Sequence, residues 1–217
     1  MNPKRVTLFA GHYGSGKTNI AVNYALWLKS VGKEVVIADL DIVNPYFRTK
    51  DSTKELEEAG ITLISPEFAN SNIDLPALPS SVYGVVQNKS RYAVLDIGGD
   101  DRGAYALGRY RPYILEENDY EMVYVANFAR PLTPDAQSML EVMAEIEAAC
   151  GIKFTAIVNN TNLAGDTTAD YISESLSKAE ELSRLTGLPI LFTSVMEEID
   201  MEGTFKLKLQ KKYFDII

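Results

Sequence analysis

Cysteine is nearly absent: Cys150 is alone among 217 residues, which excludes an internal disulfide and a Cys-x-x-Cys pair for a metal or an iron–sulfur cluster. Positive charge is also short. Lys and Arg number 21 against 30 Asp and Glu, a formal charge of -9, which argues against a broad electrostatic footprint on nucleic acid and so against direct nucleic-acid binding. No apolar stretch reaches membrane-spanning length, and Met1-Asn2-Pro3-Lys4-Arg5 leads into a strand pattern instead of a signal-peptide core, so a cytoplasmic protein is expected. Internal repeats and low-complexity tracts are lacking as well. What remains is ordinary globular composition, 46% hydrophobic and 24% charged, suited to one domain over residues 1–217. Cys150 is expected to be inert packing at a helix end.

Residues 11–18 read Gly11-His12-Tyr13-Gly14-Ser15-Gly16-Lys17-Thr18, the full G-x-x-x-x-G-K-[ST] pattern, set between an apolar run at 6–10 and a helical one. Glycines let the backbone curl so that successive N–H groups converge on phosphate oxygens, and the helix N-terminus that follows, at Asn19, adds partial positive charge. Lys17 then reaches the β- and γ-phosphates, and the Thr18 hydroxyl points at a Mg²⁺ ion.

Short β-branched runs at 5–10, 34–39, 92–97, 122–126, 154–158 and 189–194 read as buried parallel strands, with an edge strand at 61–65. Helical patterns alternate with them. The first has Ile20, Ala21, Tyr24, Ala25 and Leu28 as its inner stripe and ends at Gly32; a short one lies near 53–59. Another opens with Thr133 as N-cap and Pro134 and closes at Gly151, and a last one spans 168–186. The pattern predicts a three-layer α/β domain around a mostly parallel central sheet, with ligands at the carboxyl ends of the strands. Residues 42–90 are irregular and would carry specificity or serve as a surface connection.

Acidic residues close two of the strands. The second ends Asp39-Leu40-Asp41, where one carboxylate would support Mg²⁺ and the other, Asp41, would orient or deprotonate a water aimed at the γ-phosphate. The third ends Asp96-Ile97-Gly98-Gly99-Asp100. Asp96 fits the acid that holds Mg²⁺ through water, Gly98 or Gly99 would offer an N–H to the γ-phosphate, and Asp100 is the alternative residue for positioning water.

This set, in this order, resembles the deviant-Walker P-loop ATPases of the MinD, ParA, CobQ and CobB (SIMIBI) group, with nitrogenase iron protein as a cousin. The resemblance runs from the first strand to Asn160. It implies a P-loop NTPase fold, Mg²⁺-dependent binding of ATP and ADP, and a homodimer as one possible assembly. Members of the group carry a lysine at the second loop position that crosses to a partner's nucleotide. Here that position is His12, the sole histidine, and Tyr13 replaces a usual glycine, so the signature lysine is missing. A His12 imidazole near phosphate is one candidate substitute. The stretch Asp41-Ile42-Val43-Asn44-Pro45-Tyr46-Phe47-Arg48 looks like a subgroup of CobQ/MinD/ParA-type nucleotide-binding proteins, and Arg48 sits where a first switch loop would be.

The fifth strand ends Asn159-Asn160-Thr161-Asn162. A carboxylate reads guanine N1–H and N2–H₂ together, whereas an amide offers a single acceptor, so adenine is expected. The resemblance puts Asn159 on the adenine edge with Asn160 beside it. Arg130, in the turn after the fourth of the long strands, lies on the same ligand edge. The basic, amphipathic residues 205–217 are expected to form a final element packed on the core rather than a membrane anchor. Three functions stay open: an ATPase switch that answers to a protein partner, an ATP-dependent ligase or kinase acting on a small-molecule acceptor, and a non-hydrolysing nucleotide-binding scaffold.

Overall fold

The structure is a computed structural model and describes residues 1–40, 52–64, 81–98, 104 and 107–209. Strands and helices alternate as β1 (Val6–Ala10), α1 (Lys17–Ser30), β2 (Val35–Leu40), α2 (Thr53–Glu58), β3 (Thr62–Ile64), α3 (Ser81–Gln87) and β4 (Tyr92–Ile97). The second half continues with α4 (Arg111–Glu117), β5 (Tyr120–Ala126), α5 (Ala136–Cys150), β6 (Ala156–Asn159), α6 (Ala169–Thr186), β7 (Ile190–Met196) and β8 (Phe205–Leu207).

One sheet takes all eight strands in the order β3-β2-β4-β1-β5-β6-β7-β8, and each neighbouring pair runs parallel. Parallel strands need covered faces, which is why β1, β2 and β4 are almost continuously apolar. On one face Leu8, Ala38, Leu95 and Tyr124 pack with Val85 and Val86 of α3, Ile114 of α4, Met139, Met143 and Ile146 of α5, and Leu182 of α6. On the other, Phe9, Ile37, Val94, Val123 and Val125 pack with Ile20, Tyr24 and Leu28 of α1 and Leu56 of α2. The three-layer expectation holds.

This winding also places the ligand crevice. The connection out of β1 runs through α1 on one face, and the connection out of β5 runs through α5 on the other, although β1 and β5 are neighbours. Chain segments therefore diverge at the carboxyl ends of β1 and β5, the position where open parallel sheets take their ligands.

Two local expectations change. The helix after β5 begins at Ala136, capped by Asp135, whose carboxylate accepts from the Ser138 N–H at 2.9 Å; Thr133 does not cap it. The Thr133 hydroxyl is turned back to donate to the Asn127 carbonyl at 3.2 Å, which leaves the next acceptor side chain to serve the helix. Helices α3 and α4, short and without a clear apolar stripe, were not anticipated. The basic tail begins with β8, which pairs with β7 and completes the sheet; residues 210–217 are outside the described part. Among the described residues, no helix is long and apolar enough to cross a membrane.

Candidate nucleotide site

Residues 11–16 leave β1 and turn directly into α1. The Ser15 N–H donates to the His12 carbonyl at 3.1 Å, which closes the loop on itself, and the Ile20 N–H donates to the Gly16 carbonyl at 3.1 Å, which starts the helical ladder. Two glycines are required here for different reasons. A Cβ on Gly11 would stand 2.7 Å from the Val125 carbonyl oxygen, so β5 could not lie this close. Gly16 has φ of 90°, and a Cβ there would collide with the Asn160 side-chain nitrogen. Gly14, with φ of 76°, gives the curl between them. The N-cap of α1 is Gly16, which has no side chain to cap it, so the helix opens directly from the loop amides, an arrangement suited to an anion.

Lys17 is 6% exposed, and its Nζ lies 3.4 Å from the His12 carbonyl, spanning the mouth of the loop. The Thr18 hydroxyl donates to Asp96 Oδ2 at 2.7 Å. Asp96 is fully buried at the end of β4, and its register partner on β2 is Asp39, 1% exposed. Register partners in a parallel pair project to the same face, so two buried carboxylates lie side by side next to the N-terminus of α1. Among the described residues, no three His, Cys, Asp or Glu side chains form a cage. One hydroxyl with one or two carboxylates fits Mg²⁺, an ion that keeps several waters and takes the rest of its ligands from phosphate, better than a metal that needs an all-protein shell. When bound with nucleotide, such an ion would offset phosphate charge; Thr18, Asp96 and Asp39 are the residues placed to hold it or its waters.

The His12 side chain bonds within the loop itself. Its Nδ1 lies 2.9 Å from the Tyr13 carbonyl, and since a carbonyl only accepts, Nδ1 carries the proton. The Tyr13 side chain is 57% exposed.

At the end of β6 the asparagines are structural joints. Asn159 is fully buried; its Nδ2 donates to the Ser175 hydroxyl at 2.8 Å and its Oδ1 accepts from the Thr161 hydroxyl at 2.7 Å. Asn160 donates through Nδ2 to the Ser15 carbonyl at 2.7 Å and accepts from the Ser194 hydroxyl at 2.7 Å. Asn162 donates to the Asn160 carbonyl at 2.7 Å. The Asn159 and Asn160 amides that sequence reasoning set against the adenine edge thus make bonds within the protein, and Asn160 is tied to the phosphate loop. Asn159, fully buried, presents no free amide edge to a base.

Sequence reading missed the partners of these joints. Ser194, Ser175 and Thr161 carry no motif signal, and Asn127 holds the turn after β5 by accepting from the Ala129 N–H at 3.0 Å and the Asn162 N–H at 3.4 Å. Asp41, Gly99 and Asp100, with Arg48, lie outside the described residues.

No protein-family model matches the chain. It is 27% identical over 207 residues to a signal recognition particle protein of Mycobacterium leprae, a match covering 91% of this chain and 36% of that protein. It is similar in structure to the cell division protein FtsY of Thermotoga maritima, with a TM-score of 0.59 and 20% identity over 91% of this chain and 63% of that one. It is also similar to the signal recognition particle 54 kDa protein of Aeropyrum pernix K1 in complex with GDP, with a TM-score of 0.56 and 18% identity over 89% of this chain and 41% of that one. The signal recognition particle receptor FtsY of Elizabethkingia anophelis in complex with GDP gives 0.58 and 19%, over 91% and 59%. The chain thus spans about a third of the curated relative and between 41% and 63% of these structures. The fold is the P-loop α/β fold implied by the motif resemblance, and the similar proteins are of the signal recognition particle kind rather than MinD, ParA or CobQ.

Proposed function

We propose that the chain binds a Mg²⁺-bound purine nucleoside triphosphate in the 11–18 loop and works as a nucleotide-controlled switch for a protein partner. The observation that carries this reading is the Thr18 hydroxyl on the Asp96 carboxylate, with Asp39 beside it and Lys17 across the loop mouth. These groups supply phosphate charge neutralisation and metal support in one place. Lys17 contacts the terminal phosphates, Thr18 and Asp96 serve the metal, and Asp41 or Asp100 handles the attacking water.

For the base, guanine is the first choice, because two of the similar proteins are described in complex with GDP. The sequence argument for ATP rests on amide acceptors at 159–162 and on the lack of a carboxylate among residues 159–163. Since those amides are engaged inside the protein, that argument loses its reader.

Isothermal titration with GTP, GDP, ATP and ADP, with and without Mg²⁺, tests the reading. It expects one purine pair to bind, Mg²⁺ to strengthen the triphosphate, and Lys17→Ala to abolish binding. A parent protein that binds no purine nucleotide, or a Lys17→Ala variant that binds as tightly, overturns it. Light scattering in the triphosphate and diphosphate forms then reports whether the state of the switch changes self-association.

A further inference from the structure

Arg130 lies in the turn after β5, across the crevice from the phosphate loop after β1. The turn fixes its backbone on both sides: the Arg130 N–H donates to the Asn127 carbonyl at 3.3 Å, and its own carbonyl accepts from the Thr133 N–H at 3.1 Å. Its side chain runs along the loop. A Cβ built on Gly14 would lie 3.8 Å from Arg130 Nε and 3.9 Å from its Cδ, ordinary contact distances, so nothing separates the arginine stem from the middle of the loop.

Among the described residues this arginine meets no counter-charge. Its Nε is buried without a hydrogen-bond partner, and among the described residues no carboxylate forms an ion pair with it. The contrast with Arg5 is direct: that buried guanidinium is paired with Glu117 and donates to the carbonyls of Val86, Asn88 and Arg91. A guanidinium nitrogen taken out of water with no acceptor is costly, and a planar donor fork suits phosphate oxygens. In a chain of net charge -9, an unpaired arginine held against a phosphate-binding loop at the divergence of β1 and β5 is placed for an anionic ligand.

We infer that Arg130 is a phosphate-contacting residue, closing the nucleotide's polyphosphate chain from the β5 side while Lys17 holds it from α1. This rests on the nucleotide reading above. The arginine is supplied by the same chain that binds the nucleotide, so the contact needs no partner subunit.

The test is titration of the parent, Arg130→Gln and Arg130→Lys with GDP and ADP at several salt concentrations, alongside their nucleotide-free melting temperatures. Arg130→Gln is expected to weaken the diphosphate that the parent binds by about tenfold or more and to flatten the salt dependence. Arg130→Lys is expected to keep the parent's salt dependence. An Arg130→Gln variant that matches the parent overturns the assignment while leaving the nucleotide reading intact. So does one that weakens binding with an unchanged salt dependence, since that marks loop packing alone. If the parent binds neither diphosphate, both readings fall together.

Discussion

The side-chain amide of Asn160 donates to the Ser15 carbonyl at 2.7 Å, tying the carboxyl end of β6 to the phosphate loop at the point where Gly16 leaves no room for a Cβ. Because the Asn160 side-chain Oδ1 also accepts from the Ser194 hydroxyl on β7, one side chain fixes the loop relative to two strands.

Asn160→Ala is therefore expected to leave the Ser15 carbonyl short of a donor in a buried region and the Ser194 hydroxyl with only its 3.3 Å bond to the Asn159 carbonyl, at a cost on the order of 2 kcal/mol. Chemical denaturation measures this directly. Nucleotide affinity should fall as well, because the loop loses its rear support.

Gly16→Ala should be worse for binding than for folding. The substitution forces a side chain into a left-handed backbone and against Asn160, so the loop must deform. Titration should detect no nucleotide binding, while circular dichroism retains the α/β signature.

Thr18→Ala removes the hydroxyl that lies on Asp96. Nucleotide affinity without Mg²⁺ should stay near that of the parent, and the gain on adding Mg²⁺ should shrink by about tenfold or more. Equal Mg²⁺ dependence in the two proteins would remove Thr18 from the metal site.

Far from this edge, Arg5 and Glu117 form a buried ion pair with side chains 7% and 10% exposed. Glu117→Gln leaves a buried guanidinium without its counter-charge and should cost about 3 to 5 kcal/mol in urea denaturation. Nucleotide affinity at a temperature where the variant is folded should not change.

Asp135 gives a pH-dependent contribution. The Ser138 backbone N–H, and then the Ser138 hydroxyl, hold its carboxyl below the usual 3.8. A folded-state pKa below the unfolded one means that the stabilisation is complete above pH 3.8 and is lost as pH falls through the folded value. Asp135→Ala should lower the melting temperature at neutral pH, and the difference from the parent should vanish in acid.

The parts of the fold legible in the sequence were those set by periodicity and by punctuation. The apolar runs of β1, β2 and β4 announce strands covered on both faces, Gly151 stops α5, and Lys17, Thr18, Asp39 and Asp96 are placed by motif and strand end. What was not legible depends on distant partners. Whether Asn159 faces a ligand or Ser175 is decided by where α6 packs, and whether Thr133 caps a helix is decided by an Asn127 carbonyl in its own turn. Arg130 could be placed on the correct edge from sequence, but that its buried Nε has no hydrogen-bond partner among the described residues needed the three-dimensional neighbourhood. The short helices α3 and α4 were missed because seven residues give too little periodicity to read.

Asn23, in the middle of α1, donates through its amide to the Lys208 carbonyl at 2.9 Å and accepts from the Lys208 N–H at 2.9 Å. The two residues are 185 positions apart, so the helix that starts at the phosphate loop receives this partner only after residue 208 has left the ribosome. Until then α1 lacks this bond, although all 14 of its own residues are already in place.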